Sequence, residues 1–246
     1  MAETTTFNPK GMQMTQPTLL LVHGAWHGSW CWEPLSSILT DRGWTVRAVD
    51  LPTVHAPNKA ELTMTDDADA VAAAIAEIDG PVVVVAHSYG GVPTTQAALD
   101  PRVAHIVYIA AFVLDEGESL FDSVGGVAPD WWHIDSPLAT AGDEEQPPQQ
   151  LFYADVPAEQ ADAASARLLP QAERAFHEKL TQVAWRDKPT TYIITEQDAI
   201  FPPVAQEALA ARSESTPVRL DTSHSPFLSQ PEAVADIIER AAHGAA

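Results

Sequence analysis

Apolar and polar positions alternate along the chain in blocks that predict a repeated order of strand and helix. Residues 18–22 and 81–85 are short branched apolar runs, typical of strands buried on both faces of a parallel sheet. Similar runs predict further strands at 44–49, 105–112, 190–195 and 218–220. Apolar residues at helical spacing and alanine-rich stretches predict helices over 31–42, 65–78, 89–99, 203–212 and 230–242. This order predicts an α/β fold with a doubly wound, mostly parallel sheet and right-handed crossovers.

The alternation of strand and helix lapses over residues 114–188. This segment is too long for a simple crossover between neighbouring strands. Within it, the pattern predicts helices over 157–168 and 171–184. We therefore predict a core domain formed by residues 1–113 and 189–246, with 114–188 inserted as a helical cap over the C-terminal edge of the sheet.

Length and hydropathy fit one large domain. The chain has 246 residues, of which 46% are hydrophobic, and no apolar run approaches eighteen residues. The stretch Met1 to Gln16 is polar, has no apolar leader segment and is predicted to be a mobile tail. The single cysteine, Cys31, excludes an internal disulfide and a thiolate metal cluster. We expect a cytoplasmic protein that does not insert into a membrane.

The charge balance limits the partners. Thirteen basic and 34 acidic residues give a net charge of −21, which disfavours nucleic acids, anionic membranes and anionic substrates. The expected partner is a small molecule. The sequence permits a homodimer but does not define the oligomeric state.

A candidate nucleophile follows the central apolar run. Ser88 lies where the strand must turn into a helix, and Gly90 and Gly91 let that helix pass close to the strand. This is the context of a nucleophile elbow, G-x-S-x-G, with Ala86 in place of the first glycine. The alternative is that Ser88 merely caps the following helix, as serines commonly do.

An acid and a histidine follow the last two predicted strands. Asp198 precedes a helix, and His224 lies in the loop after 218–220, so the chain order is Ser, Asp, His. Because ligands in such sheets bind beyond the strand C-termini, these three side chains are expected to meet there. Glu196 is the rival acid, but it is nearer the strand and should point away. The alternative for His224 is a solvated loop histidine.

A glycine-containing loop follows the first strand. We expect an oxyanion hole from the backbone N–H groups of Ala25, in this loop, and Tyr89, directly after the candidate nucleophile. His23 and His27 have the i, i+4 spacing of some metal sites but lack the glutamate of H-E-x-x-H, so we expect them to shape the loop. No metal or cofactor is implied. The expected pocket residues are Gly24, Trp26, Trp131 and Trp132, the last two belonging either to the pocket wall or to the cap interior.

Four stretches together carry a family resemblance: 23–30, 86–91, 195–203 and Ser223-His224. They resemble the α/β-hydrolase branch that contains small bacterial esterases, plant methyl esterases and hydroxynitrile lyases. The similarity covers nearly the whole chain and is weakest in the cap, so the substrate is the inference that transfers least.

The resemblance implies roles for individual residues. Ser88, Asp198 and His224 match the nucleophile, acid and base of the family, and Ala25 and Tyr89 match its oxyanion residues. It implies a serine esterase, without a cofactor, that hydrolyses a carboxylic ester through an acyl-enzyme. The tryptophans of the expected pocket and the net charge of −21 predict that this ester is small, neutral and moderately apolar. The acyl group, the alcohol and the biological pathway are not defined by the sequence.

Two other functions fit the same motifs. One is carbon–carbon lyase chemistry; the lyases of this branch usually carry a lysine after the catalytic histidine and a threonine after the first loop histidine, where this chain has Ser225 and Gly24. A lysine from the cap, Lys179 or Lys188, is the alternative source of that charge. The other function is a non-catalytic small-ligand receptor. We expect hydrolysis, because a neutral hydroxyl does not stabilise departing cyanide as an ammonium does.

Overall fold

The computed structural model describes residues 16–244. Most of the predicted mobile tail lies outside the described residues. Nine strands are present in this part of the chain: β1 Thr18–Val22, β2 Val46–Val49, β3 Val82–His87, β4 Val103–Ile109, β5 Trp132–Asp135, β6 Leu138–Ala141, β7 Gln171–Ala172, β8 Thr190–Thr195 and β9 Thr216–Leu220. Eleven α-helices accompany them: α1 Glu33–Asp41, α2 Pro52–His55, α3 Met64–Ala76, α4 Gly91–Ala97, α5 Leu120–Ser123, α6 Pro148–Phe152, α7 Ala158–Ser165, α8 Arg174–His177, α9 Pro203–Arg212, α10 Pro226–Ser229 and α11 Pro231–Gly244.

Six strands form one parallel sheet in the order β2-β1-β3-β4-β8-β9. Every neighbouring pair is parallel, and the chain reverses its direction of travel across the sheet after β2, as in a doubly wound fold. The predicted α/β fold class is therefore confirmed. The reversal places the carboxyl ends of β1 and β3 side by side, where such sheets bind ligands.

Apolar residues cover both faces of the central strands. In β3, Val82 and Val84 pack into one hydrophobic cluster, while Val83 and Val85 pack into a second on the opposite face. Burial on both faces explains why the strand is a continuous apolar run rather than an alternating one. No helix among residues 16–244 is long and apolar enough to cross a membrane.

The inserted segment is more mixed than its pattern predicts. The predicted helix over 157–168 is present as α7, but the one over 171–184 is wrong: that stretch contains β7 and the four-residue helix α8. β7 joins the antiparallel β5–β6 hairpin in a second, three-stranded sheet. Pairing with β6 and the burial of the Gln171 side chain hold residues 171 and 172 extended, so tertiary contacts override the predicted helix there.

Candidate active site

The turn after β3 has the strained geometry of a nucleophile elbow. Ser88 has φ 51°, a left-handed conformation that is costly for any residue with a Cβ. A Cβ on Gly90 would lie 2.4 Å from the His23 carbonyl oxygen, and one on Gly91 would lie 2.4 Å from that of Phe112. Both glycines therefore let the start of the helix pass close to the backbone that follows β1 and β4, the strands on either side of β3.

Asp198 and His224 form a buried hydrogen-bonded pair. His224 Nδ1 lies 2.7 Å from Asp198 Oδ2, and both side chains are almost completely buried. Because a carboxylate accepts hydrogen bonds, Nδ1 carries the proton of this bond and Nε2 is the ring nitrogen not used by Asp198. The rival acid, Glu196, instead lies 3.4 Å from Arg219 at the surface.

The Asp198 carboxylate is held by further donors. Oδ2 accepts from the Thr195 hydroxyl at 2.8 Å and from Gln206 Nε2 at 3.2 Å. Oδ1 accepts from the backbone N–H groups of Ile200, at 3.1 Å, and Phe201, at 2.9 Å. These bonds fix the orientation of the carboxylate and, through it, that of the imidazole.

Ser88 and His224 both line one cavity, whose wall also includes residues of the segment 114–188 such as Trp131 and Phe176. The Ser88 hydroxyl makes no hydrogen bond within residues 16–244, and its side chain borders the cavity. None of the described Lys, Arg, Asp or Glu residues contributes to the wall. The wall consists of Ala25, Trp26, Ser88, Tyr89, Phe112, Leu120, Val124, Pro129, Trp131, Trp132, Phe176, Ile200, Phe201 and His224.

The predicted pocket residues divide into two groups. Trp26, Trp131 and Trp132 lie on the cavity wall, and the two adjacent tryptophans are stacked with ring centroids 6.3 Å apart. Gly24 lies outside the wall, which corrects its assignment to the pocket. A Cβ there would be 2.8 Å from the His87 ring and 3.0 Å from Ser88 Cβ, so glycine is needed because the loop packs directly against the elbow.

Ala25 and Tyr89 both line the same cavity. The Ala25 N–H has no acceptor among residues 16–244. The Tyr89 N–H is at the second position of the 3₁₀ turn Ser88–Gly90, where no acceptor exists within the turn. These two N–H groups are therefore the candidates for binding a ligand oxygen.

The two loop histidines orient the peptides on either side of Ala25. The Leu51 N–H donates to His23 Nε2 at 3.0 Å, so His23 Nδ1 carries the proton and donates to the Gly24 oxygen at 2.8 Å. His27 Nδ1 donates to the Ala25 oxygen at 2.7 Å, and His27 Nε2 accepts from the Tyr153 hydroxyl at 2.7 Å. Burial lowers the pKa of His23 to about 4 and that of His27 to about 3, so both are neutral at pH 7.

One cluster of possible metal ligands lies near this loop. His23, Asp50 and His55 have ligand atoms within 4.8 Å of one another. Both ring nitrogens of His23 are engaged, one by the Leu51 N–H, and Asp50 Oδ1 accepts from the Ser29 N–H at 2.6 Å. These donors and acceptors fit a role in shaping the loop better than the binding of a cation.

Sequence reasoning missed two buried polar groups beside the site. His87 Nε2 donates to the His224 carbonyl oxygen at 2.9 Å, tying the elbow to the loop that carries the histidine. Asp67 accepts from the Tyr89 hydroxyl at 2.6 Å, and burial raises its pKa to about 6. The sequence offers a signal only for Asp67, since its position in the first turn of α3 is where the helix dipole favours an acid.

Comparisons with known proteins agree with this architecture. The model of the alpha/beta hydrolase family matches residues 19–237. A protein named "Probable hydrolase R7" from Phoma sp. is 30% identical over 92% of this chain and 98% of its own length. Pheophorbidase of Raphanus sativus is 30% identical over 86% of this chain and 89% of its own. The solved structure of a methylesterase protein from Arabidopsis is similar with a TM-score of 0.78 and 25% identity, covering 93% of this chain and 99% of its own. The chain therefore belongs to the alpha/beta hydrolase family, in its branch of carboxylic ester hydrolases.

Proposed function

We propose that this protein is a cofactor-free serine esterase that cleaves a small, neutral, moderately apolar carboxylic ester. The observation that carries the proposal is the aromatic cavity into which Ser88 and His224 open, with His224 hydrogen-bonded to the buried Asp198. In this assignment Ser88 is the nucleophile, His224 the general base and Asp198 the orienting acid. We place its action on a small molecule in the cytoplasm.

In the first half-reaction, Ser88 Oγ attacks the ester carbonyl carbon and its proton passes to His224 Nε2. The carbonyl oxygen becomes an oxyanion, which accepts hydrogen bonds from the Ala25 and Tyr89 N–H groups. The ester C–O bond then breaks, and the leaving alkoxide takes the proton from His224. An acyl group remains on Ser88.

In the second half-reaction, water replaces the alcohol. His224 Nε2 takes a proton from the water as its oxygen attacks the acyl carbon. The second tetrahedral intermediate uses the same two N–H groups. When it collapses, Ser88 recovers its proton from His224 and the carboxylic acid leaves. Throughout the cycle, Asp198 stabilises the imidazolium form of His224.

The cavity wall supports a neutral substrate. Apart from Ser88 and His224, its described side chains are aromatic or aliphatic, so an ionised group would lose its hydration there without a charged partner. The net charge of −21 further disfavours anions at low salt. An ester substrate is also consistent with the name of the Arabidopsis methylesterase.

Lysine positions favour hydrolysis over lyase chemistry. Lys179 pairs with Asp122 at the surface, at 3.2 Å, and Lys188 donates to the Asp100 carbonyl oxygen at 2.8 Å. Neither lysine lies on the cavity wall. A departing cyanide would therefore lack a cationic partner there.

The test combines turnover with active-site labelling. We expect the enzyme to hydrolyse p-nitrophenyl acetate and to be labelled by a fluorophosphonate at Ser88, with both signals lost in Ser88→Ala. Ser229→Ala is the control, because it removes a buried hydroxyl that has no partner within the described residues. Labelling at another residue, or activity retained in Ser88→Ala, would refute the assignment.

Two further assays separate the alternatives. Labelling of Ser88 without any ester turnover would favour a receptor. Enzyme-dependent release of benzaldehyde from mandelonitrile, corrected for spontaneous decomposition and faster than ester cleavage, would favour a lyase. Hydrolysis unaffected by EDTA would agree with the proposed metal-free mechanism.

A further inference from the structure

A chain of buried hydrogen bonds connects the elbow to the loop after β1. The Tyr89 hydroxyl donates to Asp67 Oδ2 at 2.6 Å. Asp67 also accepts from the Thr53 N–H, at 2.9 Å, and from the Thr53 hydroxyl, at 2.6 Å. Gln171 Nε2 donates to Thr53 Oγ1 at 2.9 Å, while Gln171 Oε1 accepts from the Trp26 N–H at 3.1 Å. We call the four side chains of Tyr89, Asp67, Thr53 and Gln171 the Asp67 relay.

The relay lies beside the cavity and not in it. All four residues are fully buried, but the cavity wall includes Tyr89 and none of the other three. Asp67, Thr53 and Gln171 come from α3, α2 and β7, so the relay joins the core to the inserted segment. Since an unpaired polar group buried here would be costly, each member depends on its neighbours in the relay.

At its far end, the relay holds a strained residue. Trp26 has φ 62°, a conformation that non-glycine residues keep only when their surroundings enforce it. Its N–H donates to Gln171, its carbonyl oxygen accepts from the Leu169 N–H at 2.9 Å, and its indole N–H donates to the Ala139 oxygen at 3.1 Å. All three partners belong to the inserted segment, which therefore controls the backbone directly after Ala25.

We propose that Asp67, Thr53 and Gln171 are positioning residues that hold the Ala25 and Tyr89 N–H groups at the separation required by the oxyanion. The proposal rests on the proposed function, in which these two groups form the oxyanion hole. The relay ends at Tyr89 itself on one side and at the residue after Ala25 on the other. Preorganised donors are effective because they need not rearrange when charge develops on the substrate oxygen.

The test cuts the relay at two points that leave both N–H groups in place. Tyr89→Phe removes the hydroxyl at one end, and Thr53→Val replaces the central hydroxyl with a methyl group. We expect each variant to lower kcat for p-nitrophenyl acetate by about tenfold while KM stays within about twofold, since misplaced donors weaken transition-state binding. The inhibition constant of an aryl trifluoromethyl ketone, which forms an oxyanion on Ser88, should rise by the same factor.

Two controls separate positioning from general stability. Tyr108→Phe removes another fully buried tyrosine hydroxyl, which lies 2.9 Å from Thr95 Oγ1 and has no link to the relay. Thr53→Ser keeps the central hydroxyl and should restore kcat to within about twofold of wild type. Tyr108→Phe should leave kcat and the ketone affinity unchanged even if it lowers the melting temperature.

The outcomes are distinct from those that test the esterase assignment. Wild-type kcat and ketone affinity in both Tyr89→Phe and Thr53→Val would overturn the relay proposal while leaving Ser88 labelling intact. Equal losses in Thr53→Ser and Thr53→Val would also overturn it. If Tyr89→Phe or Thr53→Val fails to fold, Gln171→Met takes its place and the same criteria apply.

Discussion

The core and the inserted segment form one cavity but are built differently. In the core, Ser88, Asp198 and His224 follow the carboxyl ends of β3, β8 and β9, in a sheet whose central strands are buried on both faces. The inserted segment, over 114–188, contains α-helices of four to eight residues, a three-residue 3₁₀ helix and a small sheet that includes the two-residue β7. Long-range contacts with the core hold these short elements.

In the proposed esterase, this difference separates chemistry from substrate selection. The core would supply the reacting groups, while the inserted segment contributes apolar wall residues such as Trp131 and Trp132 and holds Trp26 through Gln171. A change in the core site should therefore lower kcat, whereas a change in the wall should mainly alter KM. The Asp67 relay is the exception, because it links the two regions.

The largest expected effect is on the acid of the core site. Asp198→Asn should lower kcat by about 10⁴-fold, because an amide favours the wrong imidazole tautomer. Glu196→Gln, on the same loop but paired with Arg219 at the surface, should keep kcat within about twofold. Ester hydrolysis by both purified variants measures the difference. The reverse ranking would assign the acid to Glu196.

Acid should destabilise the core. For His23 and His27 the pKa is depressed on folding, so their contribution to stability is present above pH 6.5 and is lost as pH falls toward 4 and 3. At pH 5, these two histidines together lower the free energy of unfolding by about 4 kcal/mol relative to pH 7.5. The raised pKa of Asp67, about 6, offsets this loss by about 1 kcal/mol. The Asp67 contribution has the opposite sign: it is present below pH 3.8 and is lost as pH rises through 6.

Urea denaturation at pH 7.5 and pH 5 measures this loss. We expect the free energy of unfolding to be about 3 kcal/mol lower at pH 5, with net proton uptake on unfolding. His87, whose pKa burial also lowers, acts in the same direction. A free energy of unfolding that is equal at the two pH values would show that these histidines are not held neutral.

A wall residue of the inserted segment should affect binding more than turnover. Trp131→Ala should raise KM for p-nitrophenyl benzoate about tenfold, because it removes apolar contact with the aryl group, and leave kcat within about twofold. Trp185→Ala, in the same segment but outside the cavity, is the matched control. A lower kcat with unchanged KM would mean that the wall takes part in chemistry.

The smallest expected effect concerns charge. A neutral dicarboxylate diester should have a kcat/KM a few times higher than its anionic monoester at low salt, because the chain carries a net charge of −21. The difference should shrink in 0.5 M NaCl through screening. Equal values at low ionic strength would show that long-range charge does not select the substrate.

The core could be predicted from the sequence because its signals are local. Two signals act over a few residues, namely the apolar run before Ser88 and the glycines after it. The chain order Ser88, Asp198, His224 is the third signal, and it is informative because each residue follows a predicted strand. The start of α9 at Pro203 and the bounds of β8 also match the predicted ranges. The inserted segment lacks such signals, and its β5–β6 hairpin was missed.

The sequence by itself determined the alternation of strand and helix in the core, the elbow and the candidate reacting residues. Only the tertiary structure decided that Gly24 packs against the elbow, that 171–184 is not a helix, and that Asp67 is linked to Trp26 through Thr53 and Gln171. The physical reason is that local pattern records burial and backbone preference. Hydrogen bonds between residues more than a hundred positions apart exist only once the inserted segment is folded against the core.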